Sequence, residues 1–378
     1  MKELYERNLY VSYDVLLSYS YERFETVFAN DNNIKEFIIN KYHIREKGKA
    51  FEVATKRFNL FSKGKHEVST YLLGCLLKDI IWDDLKDFIK EYIDEKYTDY
   101  SFDFEYIWSL LAVYHDIVVD KEQKLSLDYE NKQLSNTNEI VECIRKHSFD
   151  IERNIYQDDY SVVPLYHTYQ DELVVNYMNM RMESSSDAKG CLDHGIAAGF
   201  LLYDALVNNY SIQKTNAKCD CEAKHFSTKS SNNISLIWHE LDIWIYGYIS
   251  DAIIAHNIWF CDLNKEKEET KYKKFKLDYL IVGNENDNRL SVKNNPLAFY
   301  LGLIDTIEPI KSFCNADNIE VEEICKKVDF CSEIKKISIK RVGELNNFDK
   351  YKNKIKEMER WLKVEVENDG DDISIKIL

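Results

Sequence analysis

Five apolar stretches of this 378-residue chain each place a histidine, an aspartate or a His-Asp pair where a helical period would bury it. His66 opens the first, which continues as VSTYLLGCLLKDII, and His115-Asp116 closes the second, where Trp108, Leu111, Ala112 and His115 share a face at i, i+3, i+4 and i+7. His194 shares a stripe with Ala197, Ala198 and Leu201, and His256 with Ile249, Ala252 and Ile253. Asp305 follows Ala298, Leu301 and Gly302 in the same manner. A polar group buried without a partner costs about 2–7 kcal/mol. A fold that accepts these helices must therefore give each position a partner, either its own hydrogen bond in the core or one shared by all five. Imidazole and carboxylate both bind divalent cations, and separate helices can project such ligands inward to one point, so a shared metal site resolves all five burials.

The rest of the chain is organised around these helices. The first sixty residues carry helical patterning with a basic patch at Lys41, Arg45, Lys47 and Lys49. Further helices are expected near 137–150 and 166–182, and Pro296 suits the first turn of the helix that ends at Asp305. Asn208 to Ser231 reads as a polar inserted loop before a long helix that ends near His256, and DYLIVG as a short strand. From about Ser332, KKISIKRV and DISIKIL alternate as strands around the helical DKYKNKIKEMERWL. The expected architecture is thus mainly α. An N-terminal helical extension covers 1–60, a helical metal-binding body with inserted loops covers 61–330, and a small C-terminal α/β appendage covers 331–378.

Charge and composition restrict the partners. A formal net charge of −16 opposes binding of long nucleic acids over a broad surface, while a cation and one or two basic side chains can still reverse the sign locally for a small phosphorylated ligand. MKELYERNLY lacks a leader pattern, and the apolar stretch from Ile234 to Phe260 is interrupted by His239, Glu240, Asp242, Asp251 and His256, so no membrane segment is expected. Nine scattered cysteines fit reduced thiols in the cytoplasm. Aromatic-rich helices such as IWHELDIWIYGY suit a core or a subunit interface, which is compatible with a homo-oligomer. There is no P-loop, dinucleotide fingerprint, nucleophile elbow or H-e-x-x-H pair.

The ordered set resembles the HD-domain metal-dependent phosphohydrolase superfamily, whose pattern is an early His, a His-Asp pair and a late Asp. Here these are His66, His115-Asp116 and Asp305, and the resemblance covers roughly residues 60 to 315. His194 in DHGIAAG and His256 in AHNIW are similar to the extra ligands of subfamilies that hold two ions. The resemblance implies an HD-type helical bundle in which His66, His115, Asp116 and Asp305 hold a first metal. Asp116 would then bridge to a second held by His194 and His256. The ions would be one or two of Fe, Mn, Zn, Co, Ni or Mg.

Departures narrow the substrate. The cyclic-dinucleotide phosphodiesterases of the superfamily carry paired histidines, a Gly-Tyr-Pro signature and a Lys after the His-Asp pair. This chain has His256-Asn257, no such tripeptide, and HDIVVD. HDIVVD partly resembles the HD-x-x-Glu-Asp run of alarmone hydrolases, with Asp120 at the last position and Val119 in place of Glu. IDTIEPIK resembles a segment of bacterial hydrolases of dinucleoside polyphosphates, with Lys311 where Arg is usual.

Several further residues are candidates for supporting roles. Asp116 and Asp120 are the expected catalytic acids or bases, Asp120 and Glu308 being either outer carboxylates or solvated helix-end charges, and Arg181 and Lys189 are either phosphate contacts or surface residues. Asp193 suits a helix cap, and Cys219, Cys221 and His225 form C-x-C-x3-H without an evident fourth ligand, a pattern read as surface loop. The expected activity is hydrolysis of a phosphoester or phosphoanhydride in a small nucleotide-like substrate. The alternative is an HD-type regulatory module that binds a nucleotide without turning it over.

Overall fold

The computed structural model describes residues 11–12, 64–92, 104–116, 176–177, 179–180, 193–217, 225–229, 235–257, 270, 272–277, 289–317, 323–324 and 326–378. In chain order the elements are β1 (Val11–Ser12), α1 (Gly64–Leu77), α2 (Trp82–Tyr92), α3 (Phe104–Tyr114), α4 (His194–Asn216), β2 (His225–Lys229), β3 (Ser235–His239), α5 (Leu241–Ala255), α6 (Pro296–Ile307), α7 (Pro309–Asp317), β4 (Val328–Glu333), β5 (Lys336–Arg341), α8 (Phe348–Glu357), β6 (Val364–Asp369) and β7 (Asp372–Ile377). The chain divides into two compact units, one holding β1, α1, α2, α3 up to Ala112, α6 to α8 and β4 to β7, the other holding α4, α5, β2, β3 and the His115-Asp116 pair.

The mainly-α expectation is overturned. Helix accounts for 61% of the described residues and strand for 20%, arranged in two antiparallel sheets, so strand is a structural component of both units. Two features hid it. SLIWH is a short apolar run continuous with the helical LDIWIYGY, and such a run cannot be assigned by periodicity. HFSTK buries only Phe226 and so reads as polar loop. The region read as an inserted loop in fact continues α4 to Asn216 and then forms a hairpin.

In the first unit α1 and α3 meet through an absent side chain. A Cβ on Gly74 would lie 2.1 Å from the Trp108 ring, so only glycine lets that indole lie against α1. Trp108 Nε1 donates to the Tyr71 carbonyl at 3.0 Å, and Tyr300 of α6 donates its hydroxyl to the Gly74 carbonyl at 2.6 Å. These bonds satisfy the polar ends of two aromatic side chains whose bodies are fully buried.

α6 begins as its sequence directs. Asn295 caps it by accepting from the Ala298 N–H at 3.2 Å, with Pro296 at the first position. It stops at Glu308, because the residue before Pro309 is pushed from helical to extended backbone. That break turns the Glu308 carboxylate back over the start of α7, where it accepts from the N–H groups of Ile310 at 2.7 Å and Lys311 at 2.8 Å.

The same unit contains the five-stranded antiparallel sheet, in the order β1-β4-β5-β7-β6. Its alternation is strict: Ile337 and Ile339 of β5, Ile373, Ile375 and Ile377 of β7, and Val364 and Val366 of β6 are buried. Val11 and Ser12 pair with Phe330 and Asp329, so the sheet draws on the N-terminal region as well as the predicted C-terminal appendage. Phe348, Tyr351 and Ile355 form the buried stripe of α8, and the Tyr351 hydroxyl donates to the Ile307 carbonyl at the end of α6.

In the second unit α4 packs closely on α5 through Gly199, where a Cβ would lie 2.5 Å from Ile254 Cγ1. The β2–β3 hairpin sets Phe226 opposite Trp238, and both pack on Tyr210 of α4. Trp238 Nε1 donates to Thr228 Oγ1 at 2.8 Å. No helix among the described residues is long and apolar enough to cross a membrane.

Candidate metal centre

The second unit gathers four of the six residues on the five predicted stretches. His115 and Asp116 follow the last turn of α3 and are buried. His194 opens α4 beneath Asp193, which caps the helix by accepting from the Gly195 N–H at 2.9 Å and the Ile196 N–H at 3.4 Å, as the sequence suggested. His256 lies at the C-terminal cap of α5. Asp116, His194 and His256 each offer one ligand atom, all within 4.8 Å of one another, so this trio can hold a metal ion.

The tautomers favour a cation. His256 Nδ1 lies 2.6 Å from the Ile253 carbonyl oxygen and can only donate to it, so neutral His256 keeps its lone pair on Nε2. Among the described residues that Nε2 is buried without a hydrogen-bond partner, and it sits 3.8 Å from Asp116 Oδ1, another acceptor. A hydrogen bond from ring nitrogen to backbone carbonyl is the usual support behind a metal-binding histidine. His194 Nε2 is 3.1 Å from the same Asp116 Oδ1 and 2.8 Å from Asn257 Nδ2. The rings of His115 and His194 meet the His256 ring edge-on, with centroids 5.4 and 5.3 Å away. Gly195 makes room for this, because a Cβ there would lie 2.7 Å from His256 Cε1.

The first unit gathers the other two. His66 in the first turn of α1 bridges two carboxylates, with Nε2 2.9 Å from Asp305 Oδ1 and Nδ1 2.7 Å from Glu308 Oε2. Burial and the Lys311 ammonium push the His66 pKa down, the carboxylates of Asp305 and Glu308 push it up, and the balance lies above the ordinary imidazole value. Lys311 Nζ holds Asp305 through both oxygens, at 2.9 and 3.3 Å. Glu308 is fully buried and also accepts from Ser69 Oγ at 2.5 Å.

Two participants were not assigned these roles from sequence, and for a third, Glu308, the structure decides between the two readings offered. Glu308 is no solvated helix-end charge but a buried carboxylate that orients His66; the signal was its position between two helical runs immediately before Pro309. Lys311 and Asn257 stood only as departures from a motif, and nothing in their local sequence shows that one holds Asp305 and the other reaches His194. Asp120, Arg181 and Lys189 lie outside the described residues, as do Cys219 and Cys221, while His225 is an exposed residue at the start of β2. The chain matches no family model, no curated protein and no solved structure.

Proposed function

We infer that this chain is an HD-type, metal-dependent phosphohydrolase acting on a small nucleotide-like substrate. The observation that carries the metal half of the reading is the buried Nε2 of His256, held as an acceptor by the Ile253 carbonyl and facing the Asp116 carboxylate. The phosphoryl half rests on the ordered His66, His115-Asp116 and Asp305 motif.

A divalent ion held by Asp116, His194 and His256 would supply Lewis acidity toward a phosphoryl oxygen and lower the pKa of water. Around it, Asp116 sets a buried negative charge against the cation, and His194 and His256 present ring nitrogens from two helix ends. In the first unit, taken by itself, His66 and Asp305 are the remaining residues of the motif, with Glu308 fixing the His66 ring. Hydrolysis adds water across a P–O bond, hydroxyl to phosphorus and proton to the departing oxygen; Asp116 and Asp120 are the groups assigned to move that proton. Arg181 and Lys189 are assigned to the phosphate oxygens.

The test is elemental analysis of purified protein coupled to a hydrolysis screen over nucleotides with added Mn, Fe, Co or Ni. Bound transition metal together with released phosphate or nucleoside monophosphate supports the reading. Protein that takes up no metal and turns over no phosphorylated substrate sinks it.

One observation favours the second reading, a regulatory module. In the first unit the charges of His66 and Asp305 already balance against Glu308 and Lys311, so that part of the set is stable without an ion. A nucleotide recovered intact from metal-loaded protein supports sensing, whereas product formation excludes a purely passive role.

A further inference from the structure

Two side chains close the β6 edge of the five-stranded sheet where a further strand would pair. We propose that Lys356 and Glu359 form a plug on this edge, and that the partner it holds off is an extended segment of alternating apolar and basic residues. The inference does not depend on the metal reading above.

The plug is seen at the backbone of Val366. In the order β1-β4-β5-β7-β6, β6 has a strand on one side only among the described residues. An edge of this kind presents N–H and carbonyl groups that template pairing with another chain. Here the Val366 N–H donates to Glu359 Oε1 at 2.5 Å, and the Val366 carbonyl accepts from Lys356 Nζ at 2.6 Å. The two side chains also bond each other, Nζ to Oε1 at 2.8 Å. One acceptor and one donor at a single residue are what a paired strand supplies from its backbone.

Local sequence sets the plug in place. Lys356 lies in the last turn of α8 and Glu359 in the 3-10 turn Met358–Arg360 that leads into β6, so both reach back over the strand. Arg289 steadies that turn by donating to the Glu359 carbonyl at 3.1 Å. Leu290 covers the approach to β6, donating to the Trp361 carbonyl at 2.9 Å and accepting from the Lys363 N–H at 2.8 Å. An added strand therefore has Val364 to Asp369 to pair with, an ordinary strand length. The Lys356 side chain is 50% exposed and that of Glu359 26%, so the plug faces water, and rotation of two side chains uncovers the edge without moving the backbone.

The side chains of β6 select the partner. Val364 and Val366 are buried on one face, while Glu365, Glu367 and Asp369 are exposed on the other. β7 shows what fits them from the inner side: Ile377 and Ile375 stand opposite the two valines and Lys376 opposite Glu365, with Nζ 3.4 Å from Oε2. A second copy of β6 does not fit. Antiparallel pairing about Val366 would set Glu365 of one copy against Glu367 of the other, and like charges directly opposite are destabilising.

The experiment uses full-length wild type, Glu359→Gln, Lys356→Ala and the double variant Lys356→Ala/Glu359→Ala. The probes are a fluorescein-labelled peptide copying residues 372–378, DISIKIL, and the same peptide carrying Lys376→Glu. Hydrogen exchange reads the plug: the Val366 amide should exchange more slowly in wild type than in the double variant. Anisotropy reads the edge: DISIKIL should bind the double variant about 10-fold more tightly than wild type, because two charge-assisted hydrogen bonds no longer have to be displaced. Lys376→Glu in the peptide should remove that gain. Glu359→Gln keeps an acceptor over Val366 and should behave as wild type, and Lys356→Ala alone gives the same comparison at smaller amplitude if the double variant does not fold. Val366 exchange that is alike in wild type and the plug-free protein overturns the proposal. Equal peptide affinity in the two, no binding to the plug-free protein, or indifference to Lys376→Glu does the same. A plug-free protein that forms dimers without binding peptide assigns the edge to a second copy and overturns the partner proposed.

Discussion

The ring of His256 donates Nδ1–H to the carbonyl of Ile253, three residues earlier at the end of α5, across 2.6 Å. A carbonyl in the last turn of the helix, which also accepts from the His256 backbone N–H at 3.3 Å, thus sets a tautomer, and the other ring nitrogen is left buried beside Asp116. If this pair is half of a metal site, Asp116→Ala and His256→Ala should each lose most of the bound metal measured by elemental analysis at equal protein concentration. Retention of wild-type stoichiometry in both variants would assign the ion elsewhere.

Gly195 provides an independent handle on the same ring. Its missing Cβ leaves space that a methyl group would take at 2.7 Å from His256 Cε1 and 2.9 Å from the Ile253 carbonyl oxygen. Gly195→Ala must therefore push aside both the ring and the carbonyl that orients it. Overpacking of this kind costs about 1–3 kcal/mol. The expected result is a lower denaturation midpoint together with weaker metal affinity, whereas a drop in stability with unchanged affinity would mean that His256 is not a ligand.

How much of this was legible depends on which physical signal each part uses. The helices bearing Trp108, His194, His256 and Asp305 were readable because apolar residues recur at helical spacing and because Asn295-Pro296 and Asp193 mark starts. The C-terminal strands were readable because Ile337, Ile339, Ile373 and Ile375 alternate. The β2–β3 hairpin was not, since its stability comes from Phe226 and Trp238 packing on Tyr210, a contact distant in sequence that leaves no period in either strand. For the same reason Asn257 and Lys311 were missed: their partners His194 and Asp305 are defined by folded geometry.

The His66 network gives a pH signature. The folded-state pKa of His66 lies above its ordinary value of 6.5, so the imidazolium stabilises the fold fully below about pH 6.5 and the contribution is lost as pH rises through the raised folded value. In chelator-treated protein the melting temperature of wild type should exceed that of His66→Gln most at acidic pH, and the gap should narrow on the alkaline side. A gap that widens with pH would mean that His66 is neutral between its two carboxylates.

Glu308 concentrates more of the first unit's polar bonding than any sequence rule assigns to it. Its carboxylate has no exposed surface and accepts from His66 Nδ1, Ser69 Oγ and the N–H groups of Ile310 and Lys311, so one side chain joins α1 to the start of α7. Glu308→Ala leaves a buried imidazolium with one fewer counter-charge and two helix N–H groups uncapped. Breaking a buried pair costs about 3–5 kcal/mol. Glu308→Gln keeps the shape but removes the charge and sets an amide N–H against at least one of its donors, so it should recover only part of that loss. Denaturant unfolding of the three proteins measures the ordering directly. A glutamine variant as stable as wild type would show that shape and capping carry the network, and that His66 does not need the Glu308 charge.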